Sequence, residues 1–186
     1  MSTQTSFATI DDLMDFDGKA ELINGRLVEI MAVGYGPAEI PDNIVQSLRA
    51  YVRQTRRGIT RSDGVGYIVP LLISGRQSFQ PDASYYVGPL PPDDFDFIQS
   101  PPTFAVEVRS KNDYGATAEV QMADKRADYF EAGTRVVWDV CPQTREVRKY
   151  VPGVESPTVF TLGMVADAEP AVPGWTMNVD DVFEQL

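Results

Sequence analysis

The sequence predicts an α/β fold in one domain, residues 1–186. Three observations carry that prediction. Short runs rich in β-branched and aromatic residues, bounded by Gly, Pro, Asn and Asp, recur along the chain and read as strands. Two longer segments, 41–57 and 118–132, repeat apolar side chains at helical spacing. The segment T-F-A-V-E-V-R-S (103–110) alternates strictly, with Phe104, Val106 and Val108 on one face and Ala105, Glu107 and Arg109 on the other.

The elements follow in order. Thr9 is placed to cap a short helix, I-D-D-L-M-D-F, with Asp11 and Asp12 in the first turn where the helix dipole favours them. A-E-L-I-N-G-R-L-V-E-I-M reads as a hairpin around Asn24-Gly25, the strongest short hairpin signal. Gly34-Tyr35-Gly36-Pro37 reads as a loop, and Pro41 to Arg57 as a helix with Ile44, Val45, Leu48, Tyr51 and Val52 on its apolar face and Gly58 as its C-terminal glycine. G-V-G-Y-I-V-P-L-L-I-S-G and S-F-Q-P-D-A-S-Y-Y-V read as an antiparallel pair turned at Gly75-Arg76. Gly88 to Thr103 is a proline- and aspartate-rich loop, whose acids read as solvated. The helix from Ala118 to Ala132 is expected to bury Val120, Ala123, Ala127 and Phe130, extended by Met122 and Tyr129. Arg126 falls inside this arc, an awkward place for a charge unless a carboxylate meets it or the helix is only partly covered. R-V-V-W-D-V-C and R-E-V-R-K-Y-V follow as strands, then T-V-F-T-L and P-G-W-T-M as edge strands and a D-D-V-F-E-Q-L helix as a cap.

Composition narrows the chemistry. There is no histidine and one cysteine, Cys141. Ser-His-Asp and Cys-His catalysis, His-ligated zinc and an intrachain disulfide framework are therefore excluded. Any catalysis runs on carboxylates, Lys, Arg, Tyr, Ser and a hard metal, for which oxygen-rich sites select magnesium, manganese or calcium. No apolar run reaches the length of about 18 residues that a membrane helix needs, and the first residues show no signal-peptide pattern. With the lone cysteine, the expectation is a cytoplasmic protein.

The net charge of −11 argues against non-specific coating of nucleic acid, yet Arg49, Arg53, Arg56, Arg57 and Arg61 share a stretch without an acid from Ile44 to Ser62. That stretch reads first as a solvated helix face, with a phosphate-binding face as the alternative. Glu107 is the sharpest signal. An acid inside an apolar strand is costly unless paired or metal-bound, and Asp82, after Pro81, brings a second carboxylate from the preceding strand. Two such acids repel, and a divalent cation relieves the repulsion.

The order E-L-I-N-G-R-L-V-E, an arginine-rich helix, Q-P-D-A-S-Y, F-A-V-E-V-R-S, D-K-R-A-D-Y-F-E-A-G, V-V-W-D-V and P-G-W-T-M-N-V-D-D-V-F resembles the Uma-type restriction endonuclease family of the PD-(D/E)XK nuclease superfamily. The resemblance implies a restriction-endonuclease-like fold, a central mixed β-sheet flanked by helices. It implies an endonuclease hydrolysing phosphodiester bonds of nucleic acid, DNA ahead of RNA, with Mg2+ or Mn2+ held by Asp82, Glu107 and the backbone carbonyl of Val108. Lys125 matches the family's catalytic lysine and Glu21 a further acid of the site. Arg109 stands where the superfamily has its lysine and the Uma-type pattern an apolar residue, and is expected to meet phosphate or to pair with Glu107. Two further departures are Arg126 in place of an apolar residue and W-D-V-C-P in place of W-L-V-D-P, which moves an acid into the strand at Asp139. A homodimer would let two sites cut two strands. Two other readings stay open: a non-catalytic binding or assembly module of the same fold, and a phosphodiesterase for a small phosphorylated substrate.

Overall fold

A computed structural model describes residues 7–31 and 34–184. Helix α1 (Ile10–Met14) is capped as expected: the Thr9 backbone N–H donates to Asp12 Oδ2 at 2.7 Å and the Asp12 N–H donates to Thr9 Oγ1 at 3.2 Å. Strands β1 (Ala20–Ile23) and β2 (Arg26–Glu29) form the hairpin, with both turn residues, Asn24 and Gly25, in the left-handed region that a two-residue turn of this twist requires.

Helix α2 runs from Tyr35 to Thr55, starting six residues before the predicted Pro41 and absorbing all of the predicted loop but Gly34, which is its N-cap. Pro37 lies in the first turn, where N–H groups have no intrahelical acceptor, so it fits there. Pro41 gives up one backbone bond but is buried with Ile40, Ile44, Val45 and Leu48 against the sheet. The helix ends at a left-handed Arg56 rather than at Gly58. Gly58 answers a different need, since a Cβ there would lie 2.6 Å from the Tyr85 ring.

Strand β3 (Ile59–Ser62) follows, unanticipated because four mixed residues between turn formers carry no periodicity. The predicted pair around Gly75 is much shorter than expected, β4 (Tyr67–Ile68) against β5 (Ser78–Phe79), with Pro70 close behind β4. Next come β6 (Ala83–Tyr86), β7 (Phe104–Val108), helix α3 (Ala116–Ala132), β8 (Val136–Cys141), β9 (Glu146–Tyr150), β10 (Thr158–Thr161), β11 (Val165–Asp167), β12 (Thr176–Asn178) and α4 (Val179–Val182). Of the predicted C-terminal helix, Gln185 and Leu186 lie outside the described residues.

The central sheet has six strands in the order β10-β9-β8-β7-β6-β3. Strands β7 and β8 are parallel and joined through α3, as a parallel pair demands; the other neighbours are antiparallel. One sheet face carries α2, α4 and the C-terminal segment around Phe104, Val106, Trp138 and Trp175. The Trp138 ring sits 5.3 Å from Phe104 and 5.1 Å from Trp175, and its indole N–H donates to the Asp167 carbonyl at 3.0 Å. The other face carries α3 and the β4–β5 hairpin around Phe79, Ala105, Tyr129 and Val137. Phe79 and Tyr129 stack at 4.0 Å there. Cys141 is buried in β8. Among the described residues no helix is long and apolar enough to cross a membrane.

Helix α3 does not bury the predicted stripe. Val120, Ala123 and Ala127 are exposed, and Phe130 is only half-buried. The face turned to the sheet is Ala118, Met122, Lys125, Arg126 and Tyr129, about 140° round from the apolar one.

Candidate active site

That rotation of α3 is set by acids on two neighbouring strands. In the parallel register Glu107 lies beside Asp139, on the face of the sheet that α3 covers. Continuing the antiparallel register of β6 and β7 by one residue sets Asp82 opposite Glu107. Three strands thus deliver carboxylates to one region, and α3 must meet them with cations.

Two charge networks result. In the first, Lys125 Nζ bridges Glu107 Oε2 at 2.9 Å and Glu21 Oε1 at 3.2 Å. Glu107 Oε1 accepts a hydrogen bond from the Tyr129 hydroxyl at 2.6 Å. Glu21 is buried, pairs with Arg76, and accepts the Gln80 backbone N–H at 3.0 Å. Arg76 Nε in turn donates to Asp128 Oδ2 at 2.8 Å. In the second network Arg109 and Asp139 form a two-pronged pair, Nε to Oδ1 and Nη2 to Oδ2, both at 2.7 Å. Glu119 closes on the same guanidinium, Arg126 Nη1 reaches Asp139 Oδ2 at 3.2 Å, and the Arg126 guanidinium lies 4.1 Å from the Tyr150 ring centroid.

Asp82 stands apart from both. Its Oδ2 accepts the Val108 backbone N–H at 2.6 Å, and it holds no ion pair among the described residues. It borders a cavity of about 170 Å³ with Ser62, Asp63 and Pro41, while Glu107 and Lys125 border another of about 200 Å³; Val108 borders both.

The protonation equilibria follow from these surroundings. Burial, then the Glu107 charge, push the Asp82 carboxyl up to about 7. Burial also raises Glu107, with Glu21 adding to it, against the opposing pull of Lys125. Burial acts on Glu21 as well, but Lys125 and Arg76 outweigh it and hold that carboxyl below its ordinary value. Burial alone would lower Lys125; Glu107 and Glu21 overcome it and keep the ammonium charged.

Asp82 provides a stability prediction. Its folded-state value lies above the unfolded 3.8, so ionising it costs stability as pH rises from about 4 to 7, and the full penalty is present above 7. In the metal-free protein Asp82→Asn is therefore expected to raise unfolding free energy at pH 8 by about 2–4 kcal/mol. The gain should shrink towards pH 4. Urea titrations of both proteins across that range check this, and an Asp82→Asn protein no more stable at pH 8 than at pH 4, relative to wild type, contradicts it.

Asp82, Val108, Glu107, Lys125 and Glu21, the residues singled out from the sequence, converge at one end of the sheet. Arg109 does not join them. Its side chain is only 1 % exposed, and it pairs with Asp139 and Glu119 rather than with Glu107 or a free cavity. Glu21, an ordinary strand-entry acid by sequence, is buried. Arg76, Asp128 and the Tyr129 hydroxyl were missed as members. Asp139 could have been recognised by the argument used for Glu107, since it too is an acid inside an apolar strand. Arg76 leaves no such signal: the sequence reads it as part of a turn, the structure bridges it to Ile23, and only tertiary convergence gives it its partners.

The donor set suits a hard divalent ion. Among the described residues no three acidic side chains gather as a metal cage, and Glu21 is engaged by two cations. Asp82 and Glu107, with backbone oxygen at Val108, match an ion that takes one or two carboxylates and keeps the remaining positions for water and phosphate, as magnesium does.

Comparison with known proteins shows the family and a structure of similar fold. The sequence profile of the Uma2 family, described as "Putative restriction endonuclease", matches residues 7–180. A crystal structure described as a putative nuclease belonging to DUF820, from Anabaena variabilis, superposes with a TM-score of 0.74 at 17% identity, covering 94% of this chain and 97% of that one. At that identity the likeness is one of fold. No curated protein matches the sequence.

Proposed function

Because this chain belongs to the Uma2 family of restriction endonuclease-type proteins, we propose that it is an endonuclease, dependent on Mg2+ or Mn2+, that hydrolyses phosphodiester bonds of nucleic acid, DNA in the first place. The observation that carries the reading is the meeting of Asp82 and Glu107 beside Lys125, with a cavity on either side. A hard divalent ion, when bound, supplies an acidified water and neutralises phosphate charge. Asp82 and Glu107 would hold it, with the Val108 carbonyl. Lys125 then turns part of its hydrogen-bonding capacity from Glu107 to the attacking water or a phosphate oxygen, where a fixed positive charge favours the developing negative one. Tyr129 and Glu21 keep Glu107 and Lys125 in place, and Arg76 with Asp128 anchors Glu21 in turn.

One observation favours a second reading. Lys125 already neutralises Glu107 without any ion, as a non-catalytic module of this fold would require. Calorimetric titration of manganese separates the two. The proposed nuclease binds Mn2+ saturably, and Asp82→Ala and Glu107→Ala each abolish the binding. No binding at millimolar Mn2+ favours the non-catalytic module, and binding that survives both substitutions places the ion elsewhere.

A further inference from the structure

Two groups of cations stand out in this chain. Arg76, Arg109, Arg126 and Lys125 each hold carboxylates. Arg49, Arg53, Arg56, Arg57, Arg61 and Arg135 are all exposed, and among the described residues none holds an ion pair. In a chain with 27 acidic and 16 basic residues, arginines placed at random would find acids. Arginines left unpaired together are a surface kept for an external anion.

Their position gives the surface a direction. Strand β3 is an edge of the central sheet, paired only with β6. At its C-terminal end Ser62 borders the cavity that holds Asp82. At the other end Arg57 and, from the start of β8, Arg135 border a groove of about 390 Å³ walled by Tyr51, Tyr85 and prolines. Exposed Arg61 lies between. Asp63, the nearest acid in sequence beyond β3, is already neutralised by Lys19. Residues 57 to 62 extend over at most about 16 Å. That distance matches roughly five nucleotides along one strand of a duplex. The groove's tyrosine hydroxyls are occupied by backbone carbonyls: Tyr51 donates to Pro173 and Tyr85 to Arg57. Arg57 and Arg135 supply the charged donors of its mouth.

We propose that the edge of β3 is a substrate track, along which the phosphates of a DNA strand run from the Asp82 cavity to the groove between Arg57 and Arg135. This rests on the nuclease reading for its substrate but uses none of the residues assigned to hydrolysis. Arg57, Arg61 and Arg135 would contact backbone phosphates and no bases, so the track contributes affinity and register without sequence preference.

The test measures binding of a fluorescein-labelled duplex of about 16 base pairs to the full chain by anisotropy. EDTA prevents cleavage, and salt runs from about 50 to 200 mM. Arg57→Ala/Arg135→Ala is expected to weaken binding about tenfold at the lowest salt and to reduce the slope of log affinity against log salt by about two. Arg57→Lys/Arg135→Lys should restore most of both. An alanine variant with unchanged affinity and slope, or a wild-type protein that binds no duplex at the lowest salt, overturns the track. Manganese binding by the same alanine variant should equal wild type, because it reports Asp82 and Glu107. Loss of the carboxylate site with an intact arginine dependence would remove the nuclease reading and leave the track as a DNA-binding surface.

Discussion

Asp139→Asn is expected to destabilise the fold by about 3–5 kcal/mol, the cost of leaving a buried charge without its partner. Asp139 is 0 % exposed and neutralises two arginines, Arg109 through two 2.7 Å bonds and Arg126 at 3.2 Å. An asparagine keeps the size and one acceptor oxygen but loses the charge. Glu119 still touches Arg109, yet that side chain is 46 % exposed and lies in water-screened surroundings. Urea denaturation should show a lower midpoint at unchanged slope. The Arg126→Met change, made alone, should cost much less, because the Arg109 pair persists. If Asp139→Asn loses under 1 kcal/mol, the buried pair is not what orients β8 against α3.

Lys125→Met is expected to lower metal-dependent cleavage about 10²–10³-fold, the loss typical of removing one fixed donor to a developing charge. Methionine preserves the length and packing of the stem, which is largely covered with the side chain 24 % exposed. Lys125→Arg should not restore activity, because a planar fork cannot replace a point charge shared between Glu107 and Glu21. Single-turnover cleavage of supercoiled plasmid in Mn2+ measures the rate, and calorimetry confirms that the ion still binds. Activity within threefold of wild type would remove Lys125 from the chemistry and leave it a neutralising side chain.

These two expectations concern residues that the sequence exposed unequally. Strand character, the Asn24-Gly25 turn and the anomaly of Glu107 inside F-A-V-E-V are local properties. Alternation is built into the covalent geometry of a strand, so the face of each side chain in β7 is readable without knowing the fold. The Asp82 carboxylate after Pro81, the Thr9 cap and the α/β order of elements were readable for the same reason.

The orientation of α3 was not. Its apolar stripe, Val120, Ala123 and Ala127, predicted one buried face, and the structure buries another. Covering one valine is worth about 1.5–3 kcal/mol, whereas a buried carboxylate stripped of its cation costs about 3–5, and β7 and β8 present two such acids. The helix therefore turns Lys125 and Arg126 to the sheet and leaves the smaller apolar side chains in water. The sequence by itself determined which acids are out of place. Only the tertiary structure decided which cation answers each: Arg109 with Asp139 rather than Glu107, Arg76 and Lys125 with Glu21, and, among the described residues, no ion pair with Asp82. Those pairings join residues up to 104 positions apart (Lys125 and Glu21), and no periodicity in the chain encodes a distance that exists only after the sheet has formed.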